Sequence, residues 1–298
     1  MKHAIGLDIG GTKILGILMD ENGKILKRKN VETNSGKSSR EIIGNVCFVV
    51  DFLLRGFSAK KISGIGIGCA GITDGKGKFL FSPNIPSLKG VSLKSVLSRR
   101  YNMRVVHEND ANCFAIAEHA FGAGKGTGNM VGLIVGTGIG GGIILENKLY
   151  KGTNGFSGEF GHSVIDPYGP KCNCGLNGDF ESLCSGPAIV KRYIALGGKI
   201  SKPNPAKIFS SKEKVARNVV KDTFVYFGIG LSHIINGLDV ETIVFGGGVS
   251  NIDFYDEINK SAKRFSNEAV RNSVRILRNM LGDDSGAVGA AALIMDLV

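Results

Sequence analysis

The sequence has no apolar run long enough to cross a membrane, and its first residues do not resemble a secretion signal, because Asp8 interrupts the first apolar stretch. It also lacks the cysteine pattern of a disulfide framework, since only Cys172 and Cys174 of its six cysteines lie close together. We therefore expect a cytoplasmic protein with no membrane partner and no structural disulfide.

Long basic runs are absent as well, although the formal net charge is +11. The 37 lysines and arginines are scattered and are not interleaved with aromatic residues, whereas a nucleic-acid surface concentrates positive charge on one face. We expect no nucleic-acid partner and interpret most of this charge as a solvated surface. The length of 298 residues and the apolar content of 43% are sufficient for two globular domains.

Glycine, in contrast, is abundant, with 44 residues that cluster in loops. Two glycine-rich loops, residues 8–13 and 136–142, each lie between a pair of apolar strands, which directs backbone N–H groups towards a phosphate. Neither is a P-loop or a dinucleotide fingerprint, because a strand rather than a helix follows each of them. One such loop is typical of a tight hairpin, but the pair predicts a nucleotide held by two related halves. Asp8, beside the first loop, suits a magnesium ion or its waters.

The pattern from residue 130 repeats the opening order of strand, glycine loop, strand and turn, which predicts an internal duplication. Apolar periodicity predicts helices over residues 39–57, 93–100, 110–121, 215–238 and 286–297. Asn109 or Asp110 is expected at the N-cap of the third helix. Residues 151–186 are rich in Gly, Pro and Asn and show little periodicity, so we expect this segment to be functional or held by a metal ion.

Five segments occur together in one order, namely residues 8–13, 108–112, 136–142, 158–162 and 172–175. In these segments the chain resembles the ROK family of sugar kinases, repressors and uncharacterised open reading frames, within the actin/hexokinase ATPase superfamily. The resemblance implies an α/β, two-lobed RNase H-like fold with duplicated βββαβα-type halves and a central cleft. It implies a small lobe of residues 1–112 plus 286–298 and a large lobe of residues 113–285.

The resemblance also implies an ATP-dependent hexose kinase, with glucose as the first candidate, that transfers the γ-phosphate of ATP to the sugar 6-hydroxyl. Asp110 is implied as the catalytic base that accepts the hydroxyl proton; the alternative is that it merely caps the following helix. The residues implied to contact the sugar are Gly71, Asn84, Asn109, Asp110, Glu159, His162 and Glu181. The residues implied to bind ATP with Mg²⁺ are Asp8, Gly10, Gly11, Thr12, Lys13, Thr137, Gly138, Gly246, Gly247 and Gly248.

Residues 172–175 resemble the family's zinc motif, which reads Cys-x-Cys-Gly-x-x-Gly-Cys with a histidine upstream. The implied ligands here are His162, Cys172 and Cys174, with Asp179 where the motif has its last cysteine. Asp179 suits the fourth position because zinc accepts carboxylate oxygen; Cys184 is a second candidate, and a metal-free loop is the alternative. We expect any zinc to be structural, with His162 able to serve both metal and sugar through its two ring nitrogens.

Other functions within the family stay open. Its sugar-sensing repressors carry a helix-turn-helix domain ahead of the first glycine loop, and from the position of Asp8 we expect no such domain here. A non-catalytic sugar-binding role is a further alternative. Kinases of this type act on fructose, mannose, N-acetylglucosamine, N-acetylmannosamine and other sugars, and some use polyphosphate as the donor. Several relatives carry a tryptophan a few residues after the position of Asn84, where this chain, which has no tryptophan, has Leu88 or Lys89. The resemblance implies a homodimer or homotetramer.

Overall fold

The computed structural model describes residues 2–58, 61–74 and 76–297. The chain divides into two compact units, the first formed by Met1–Lys125 with Leu281–Val298 and the second by Gly126–Met280. The lobe boundaries expected after residues 112 and 285 stay a prediction. The helix that begins at Asp110 lies wholly within the first compact unit.

Twelve strands and nine α-helices are formed by the described residues. The strands are β1 (His3–Ile9), β2 (Lys13–Asp20), β3 (Ile25–Glu32), β4 (Ile62–Cys69), β5 (Ile72–Thr73), β6 (Phe79–Phe81), β7 (Val105–Glu108), β8 (Met130–Val135), β9 (Ile139–Leu145), β10 (Lys148–Tyr150), β11 (Thr242–Gly246) and β12 (Arg275–Arg278). The helices are α1 (Ser39–Leu54), α2 (Leu93–Tyr101), α3 (Asp110–Phe121), α4 (Phe180–Cys184), α5 (Gly186–Ala195), α6 (Pro205–Ser210), α7 (Lys214–Leu238), α8 (Tyr255–Phe265) and α9 (Ser285–Ile294).

The first unit is built on a five-stranded mixed sheet with the order β3-β2-β1-β4-β7. β2 is antiparallel to β1 and β3, whereas β4 is parallel to β1 and β7. Helix α1 packs against β2 and β3, and α9 packs against β1, β4 and α3. Because helices cover its strands, β1, β2 and β4 are almost continuous apolar sequences rather than alternating ones. Helix α1 begins with a capping box in which Ser38 and Glu41 satisfy one another's backbone N–H groups.

The second unit contains a five-stranded mixed sheet with the order β10-β9-β8-β11-β12. β9 is antiparallel to β8 and β10, whereas β11 is parallel to β8 and β12. The core lies between this sheet and helices α4, α7 and α8, where the aromatic rings of Phe180, Phe227, Phe245 and Phe254 contact one another. The two sheets therefore have the same strand order and directions, as the internal duplication predicts.

One sequence expectation about the second glycine loop is wrong in its extent. β9 begins at Ile139, so the loop comprises residues 136–138 and the glycines at 140–142 lie within the strand. A neighbouring segment approaches this strand too closely for a side chain at Gly141. A Cβ added there would lie 2.5 Å from the backbone oxygen of Gly158.

Sequence patterns locate five of the nine helices that the described residues form, and miss the other four. The helix over 110–121 is confirmed at both ends, and the one over 215–238 begins one residue earlier, at Lys214. The helices expected to run to residues 57 and 297 end at Leu54 and Ile294. Helices α4, α5, α6 and α8 and strands β5, β6, β10 and β12 were not predicted. Within the described ranges, no helix has the length and apolar content that crossing a membrane requires.

Candidate functional site

In the first unit, the predicted site residues meet at one edge of the sheet. Strands β1, β4 and β7 are parallel, and their register pairs Asp8 with Gly68 and Gly68 with Glu108. The carboxyl ends of the three strands therefore coincide. In α/β sheets this edge is where ligands bind, because the loops that follow the strands converge there.

Asn109 and Asp110 follow β7 at this edge. Asn109 is the N-cap of α3, and its Oδ1 accepts hydrogen bonds from the backbone N–H groups of Ala111 at 2.8 Å and Asn112 at 3.3 Å. Asp110 is the first residue of the helix, so capping is performed by its neighbour. Its carboxylate is half-buried, and burial raises its pKa, although the N–H groups of Ala111 and of Asp110 itself act in the opposite direction. A carboxylate in this setting suits a proton acceptor.

Asp8 is the second half-buried carboxylate at this edge. Burial, together with the negative charge of Asp110, raises its pKa to about 7, against the opposing effect of Lys13. The Lys13 ammonium group in turn lies 2.9 Å from Oδ2 of Asp283, which lowers the pKa of Asp283. A carboxylate whose ionised form is disfavoured by burial and by a like charge is stabilised by a nearby divalent cation, and Mg²⁺ prefers carboxylate oxygen as a ligand. The Asp8 carboxylate, at the end of β1 beside the first glycine loop, therefore suits Mg²⁺.

The first glycine loop lies against Asn84. A Cβ added to Gly11 would be 3.0 Å from the backbone oxygen of Asn84 and 3.1 Å from its Cβ, so only glycine fits there without displacing this residue. Thr12 is exposed at the tip of the loop. The predicted site residues of the first unit lie at the ends of these strands or in the segments beside them; they are Asp8, Gly10, Gly11, Thr12, Lys13, Gly71, Asn84, Asn109 and Asp110.

The second unit has a corresponding edge, where β8 ends at Val135 and β11 at Gly246. Gly247 has a φ of +84°, and a Cβ added to it would lie 2.5 Å from the backbone oxygen of Val135. The backbone N–H of Gly186, the first residue of α5, donates to the carbonyl oxygen of Gly136 at 2.8 Å. The second glycine loop, residues 246–248 and the start of α5 thus meet, and Thr137 in this loop is exposed.

The predicted sugar-contacting residues of the second unit lie beside the same loop. Residues 158–162 pack on β9 through the contact of Gly158 with Gly141. Nε2 of His162 lies 4.0 Å from Oε2 of Glu159. Oε2 of Glu181, on α4, accepts a hydrogen bond of 2.8 Å from the backbone N–H of Ile139. Both the segment that carries Glu159 and the helix that carries Glu181 therefore contact β9, the strand that follows the glycine loop.

His162 also belongs to a group of four potential metal ligands. Four donor atoms all lie within 4.8 Å of one another, one each from His162, Cys172, Cys174 and Asp179. Oδ2 of Asp179 is 3.0 Å from Nδ1 of His162 and 3.3 Å from Sγ of Cys174. Such spacings fit a tetrahedral ion with bonds of about 2.0–2.3 Å, and two sulfurs, a nitrogen and a carboxylate oxygen are zinc donors. Cys184 does not belong to this group.

Electrostatics keeps Asp179 ionised in the group. Burial alone would raise its pKa, but hydrogen bonds involving the Cys172 thiol, the Ser182 N–H and His162 lower it to about 2. Burial raises the pKa of the Cys172 thiol to about 12. A bound cation would favour the thiolate, because metal ligands must be deprotonated.

A family model described as the ROK family matches residues 4–296 of the chain. The chain belongs to the ROK family. It is 31% identical to the xylose repressor of Bacillus spizizenii over 299 residues, which cover 99% of the chain and 77% of that relative. It is also 31% identical to the glucokinase of Thermotoga maritima, over 99% of the chain and 98% of the relative.

Solved structures of ROK proteins confirm the α/β fold class with mixed sheets. The ROK glucokinase from Streptomyces griseus in complex with glucose and AMPPNP superimposes with a TM-score of 0.81, at 33% identity, over 99% of each chain. The ROK relatives therefore include both sugar kinases and repressors at equal identity, so overall identity does not decide between the two roles.

Several residues of this ROK chain contribute to the two edges without having been predicted from the sequence. Gly286 contacts Asp8, Asp283 pairs with Lys13, and Gly186 bonds to the second glycine loop. Asp283 and Gly286 are distant in sequence from their partners, so no local pattern marks them. The Ser185-Gly186-Pro187 sequence does carry a signal for Gly186, since Ser at the N-cap with Pro in the first turn is typical of a helix start.

Proposed function

We propose that this ROK protein is an ATP-dependent hexose kinase, with glucose as the leading substrate and Asp110 as the catalytic base. The observation that carries the proposal is the environment of Asp110. Its carboxylate is half-buried at the carboxyl edge of a parallel sheet, its pKa is raised by burial, and the capping of α3 is done by Asn109. Because Asn109 supplies the N-cap, capping of α3 does not account for a carboxylate at this position.

In the proposed reaction, the oxygen of the sugar 6-hydroxyl forms a bond to the γ-phosphorus of ATP. The bond from that phosphorus to the bridging oxygen breaks, and ADP leaves. Asp110 accepts the hydroxyl proton, for which a raised pKa is favourable because proton affinity rises with pKa. Mg²⁺, held through Asp8, would neutralise charge on the phosphates. Residues 10–13 and 137–138 of the two glycine loops would supply backbone donors to the phosphates, and residues 246–248 would contact the adenosine.

The sugar-binding role of each remaining residue follows from the donors and acceptors that it has available. Oδ1 of Asn109 is engaged in capping, so its amide group would donate to a sugar hydroxyl. Asn84, exposed beside Gly11, would offer both amide atoms, and Glu159 a carboxylate. His162 directs Nδ1 to the metal-ligand group and Nε2 towards Glu159, so Nε2 would bond the sugar. Gly71 and Glu181 complete the proposed set.

We further propose that His162, Cys172, Cys174 and Asp179 hold a structural zinc ion. The ion would stabilise the segment that contains Glu159, His162 and Glu181. All four ligand positions would be filled by the protein, which is typical of a structural rather than a catalytic zinc.

A sugar-sensing role without catalysis is the second candidate, favoured by the 31% identity to the xylose repressor. The complex of the Streptomyces griseus glucokinase with glucose and AMPPNP supports the kinase and its substrate pair. The test is a coupled ADP-release assay with MgATP and a panel of glucose, mannose, fructose, N-acetylglucosamine and N-acetylmannosamine, with polyphosphate as a second donor. We expect turnover with glucose. Sugar binding without turnover on any member of the panel would favour the sensing role.

A further inference from the structure

Asp179 uses its two carboxylate oxygens for two different tasks. Oδ2 faces the metal-ligand group, 3.0 Å from Nδ1 of His162 and 3.3 Å from Sγ of Cys174. Oδ1 accepts a hydrogen bond of 2.8 Å from the backbone N–H of Ser182, which makes Asp179 the N-cap of α4. A cysteine at this position has one sulfur in place of the two oxygens. The carboxylate thus links the metal site directly to the start of a helix.

Helix α4 depends on this start because it has only 5 residues. A helix so short is not stable by itself and takes its geometry from its cap and its packing. The N–H of Phe180 donates to the carbonyl oxygen of Ser163, and the ring of Phe180 is fully buried. The direction of α4 is therefore fixed at the residues that adjoin the metal-ligand group.

Glu181, the second residue of α4, connects the helix to the second glycine loop. Its Oε2 accepts the N–H of Ile139, the residue that follows the loop, at 2.8 Å. A Cβ added to Gly138 would lie 2.4 Å from the same oxygen. Within the loop, the N–H of Gly136 donates to the carbonyl oxygen of Gly138 at 2.9 Å. A shift of α4 would therefore change the backbone that is proposed to bind phosphate.

We propose that Asp179 is a positioning residue that couples occupancy of the metal site to nucleotide binding at the second glycine loop. The coupling runs from the ion through Asp179 to the N-cap of α4, and through Glu181 to Ile139. We expect the ion to strengthen nucleotide binding because it fixes the start of α4; since coupling free energies are reciprocal, bound nucleotide must then tighten the metal site by the same factor. The inference rests on the nucleotide-binding part of the proposed function and does not require phosphoryl transfer.

The test measures zinc affinity of the full chain by competition with a chromogenic chelator, with and without AMPPNP and Mg²⁺. For the unmodified chain we expect AMPPNP to strengthen zinc binding by about fivefold or more, within the usual range of coupling between sites. Asp179→Cys supplies a third thiolate, but its single sulfur cannot both bind the ion and accept the Ser182 N–H. We expect this variant to bind zinc and to lose most of the dependence on AMPPNP.

Two further variants separate the cap from the metal ligand. Asp179→Asn keeps an oxygen for the Ser182 N–H and loses the negative charge, so we expect weaker zinc binding with AMPPNP affinity retained. Asp166→Asn is the matched control, because Asp166 lies in the same segment and outside the metal-ligand group; we expect the full coupling to persist. Hydrogen exchange of residues 136–141 should slow on zinc binding in the unmodified chain and not in Asp179→Cys.

The proposal is overturned if zinc does not bind, if AMPPNP changes zinc affinity by less than about twofold, or if Asp179→Cys keeps the full coupling. Failure of the kinase proposal gives a different result. If the chain binds AMPPNP but phosphorylates no sugar, the kinase proposal fails and the coupling should still be measured. If the chain is an active kinase but AMPPNP does not change its zinc affinity, the kinase proposal holds and the role of Asp179 is refuted.

Discussion

Gly286 lies so close to Asp8 that a Cβ added to it would be 2.8 Å from Oδ2 of the carboxylate. Gly286 is the second residue of α9, which packs on β1, the strand that carries Asp8. The start of this helix is thus shaped around the carboxylate. The contact explains why a glycine, which weakens helices, occupies the first turn of an otherwise alanine-rich helix.

Gly286→Ala is expected to displace Asp8 and lower the proposed Mg²⁺-dependent activity. A loss of stability of about 1–3 kcal/mol is expected from the overpacking, measured by urea denaturation. Gly44→Ala is the matched control, because a Cβ there meets nothing within 4 Å in the middle of α1. That control should be stabilised by about 0.5–1 kcal/mol, since alanine favours a helix over glycine. Equal effects of the two substitutions would contradict the account of Gly286.

The raised pKa of Asp8 predicts a defined pH dependence of stability. Because its pKa is about 7 in the folded chain and 3.8 ordinarily, the folded state binds the proton more tightly. The stability associated with this proton is present below pH 4 and is lost as the pH rises through 7, by at most about 4 kcal/mol and by less where solvent reaches the carboxylate. The charges facing Asp8 are those of Asp110, Lys13 and Asp283.

Asp8→Asn removes the charge and should therefore raise the thermal midpoint at pH 8 while leaving it nearly unchanged at pH 4. Mg²⁺ should stabilise the unmodified chain at pH 8 and have little effect on the variant, because the carboxylate that holds the ion is gone. Calorimetry at several pH values, with and without Mg²⁺, measures both effects. A stabilisation of the variant that is equal at pH 4 and pH 8 would refute the assignment.

Asn109 is expected to combine a structural and a binding role that substitutions can separate. Asn109→Ser retains a cap for α3 and removes the amide donor, so stability should change by only a few tenths of a kcal/mol while KM for the sugar rises. Asn109→Ala removes both and should also cost about 1 kcal/mol of stability. Denaturation and steady-state kinetics on the two variants measure this. A normal sugar KM in Asn109→Ser would show that the residue acts only as a cap.

Metal content distinguishes Cys174, a proposed zinc ligand, from Cys184, the alternative ligand. The purified chain is expected to contain about one zinc per molecule. Cys174→Ala should lose the ion, because its sulfur lies in the group with His162 and Asp179. Cys184→Ala should keep it, because Cys184 is fully buried outside that group, with burial raising the pKa of its thiol. Elemental analysis decides, and loss of zinc in the Cys184 variant would contradict the assignment.

Sequence patterns identify the longer strands and five of the nine helices because each of these has its own periodicity or apolar run. The helix over residues 110–121 and the duplicated strand order are examples, since local spacing and the repeated glycine loops determine them. The short helices α4 and α6, of 5 and 6 residues, escape such patterns because they span less than two turns. Their position depends on tertiary packing instead.

The site is predictable to a similar extent. Asp8, Asp110 and Asp179 are recognised by their motifs, but the motifs do not show which of two adjacent residues has which role. Sequence alone leaves open whether Asn109 or Asp110 caps α3, and the structure decides for Asn109. The contacts of Gly286 with Asp8 and of Glu181 with Ile139 join residues far apart in the chain, so they emerge only when the elements pack.

The most direct test of the account is the rate of sugar phosphorylation by Asp110→Asn compared with the unmodified chain. The product is identified by phosphorus NMR, and sugar affinity is measured separately. The control is Asp256→Asn, an exposed carboxylate in the first turn of α8. We predict that kcat falls by about 10²–10⁴-fold in Asp110→Asn, with sugar affinity within a few-fold of normal. Formation of the sugar 6-phosphate at an undiminished rate would show that Asp110 is not the base.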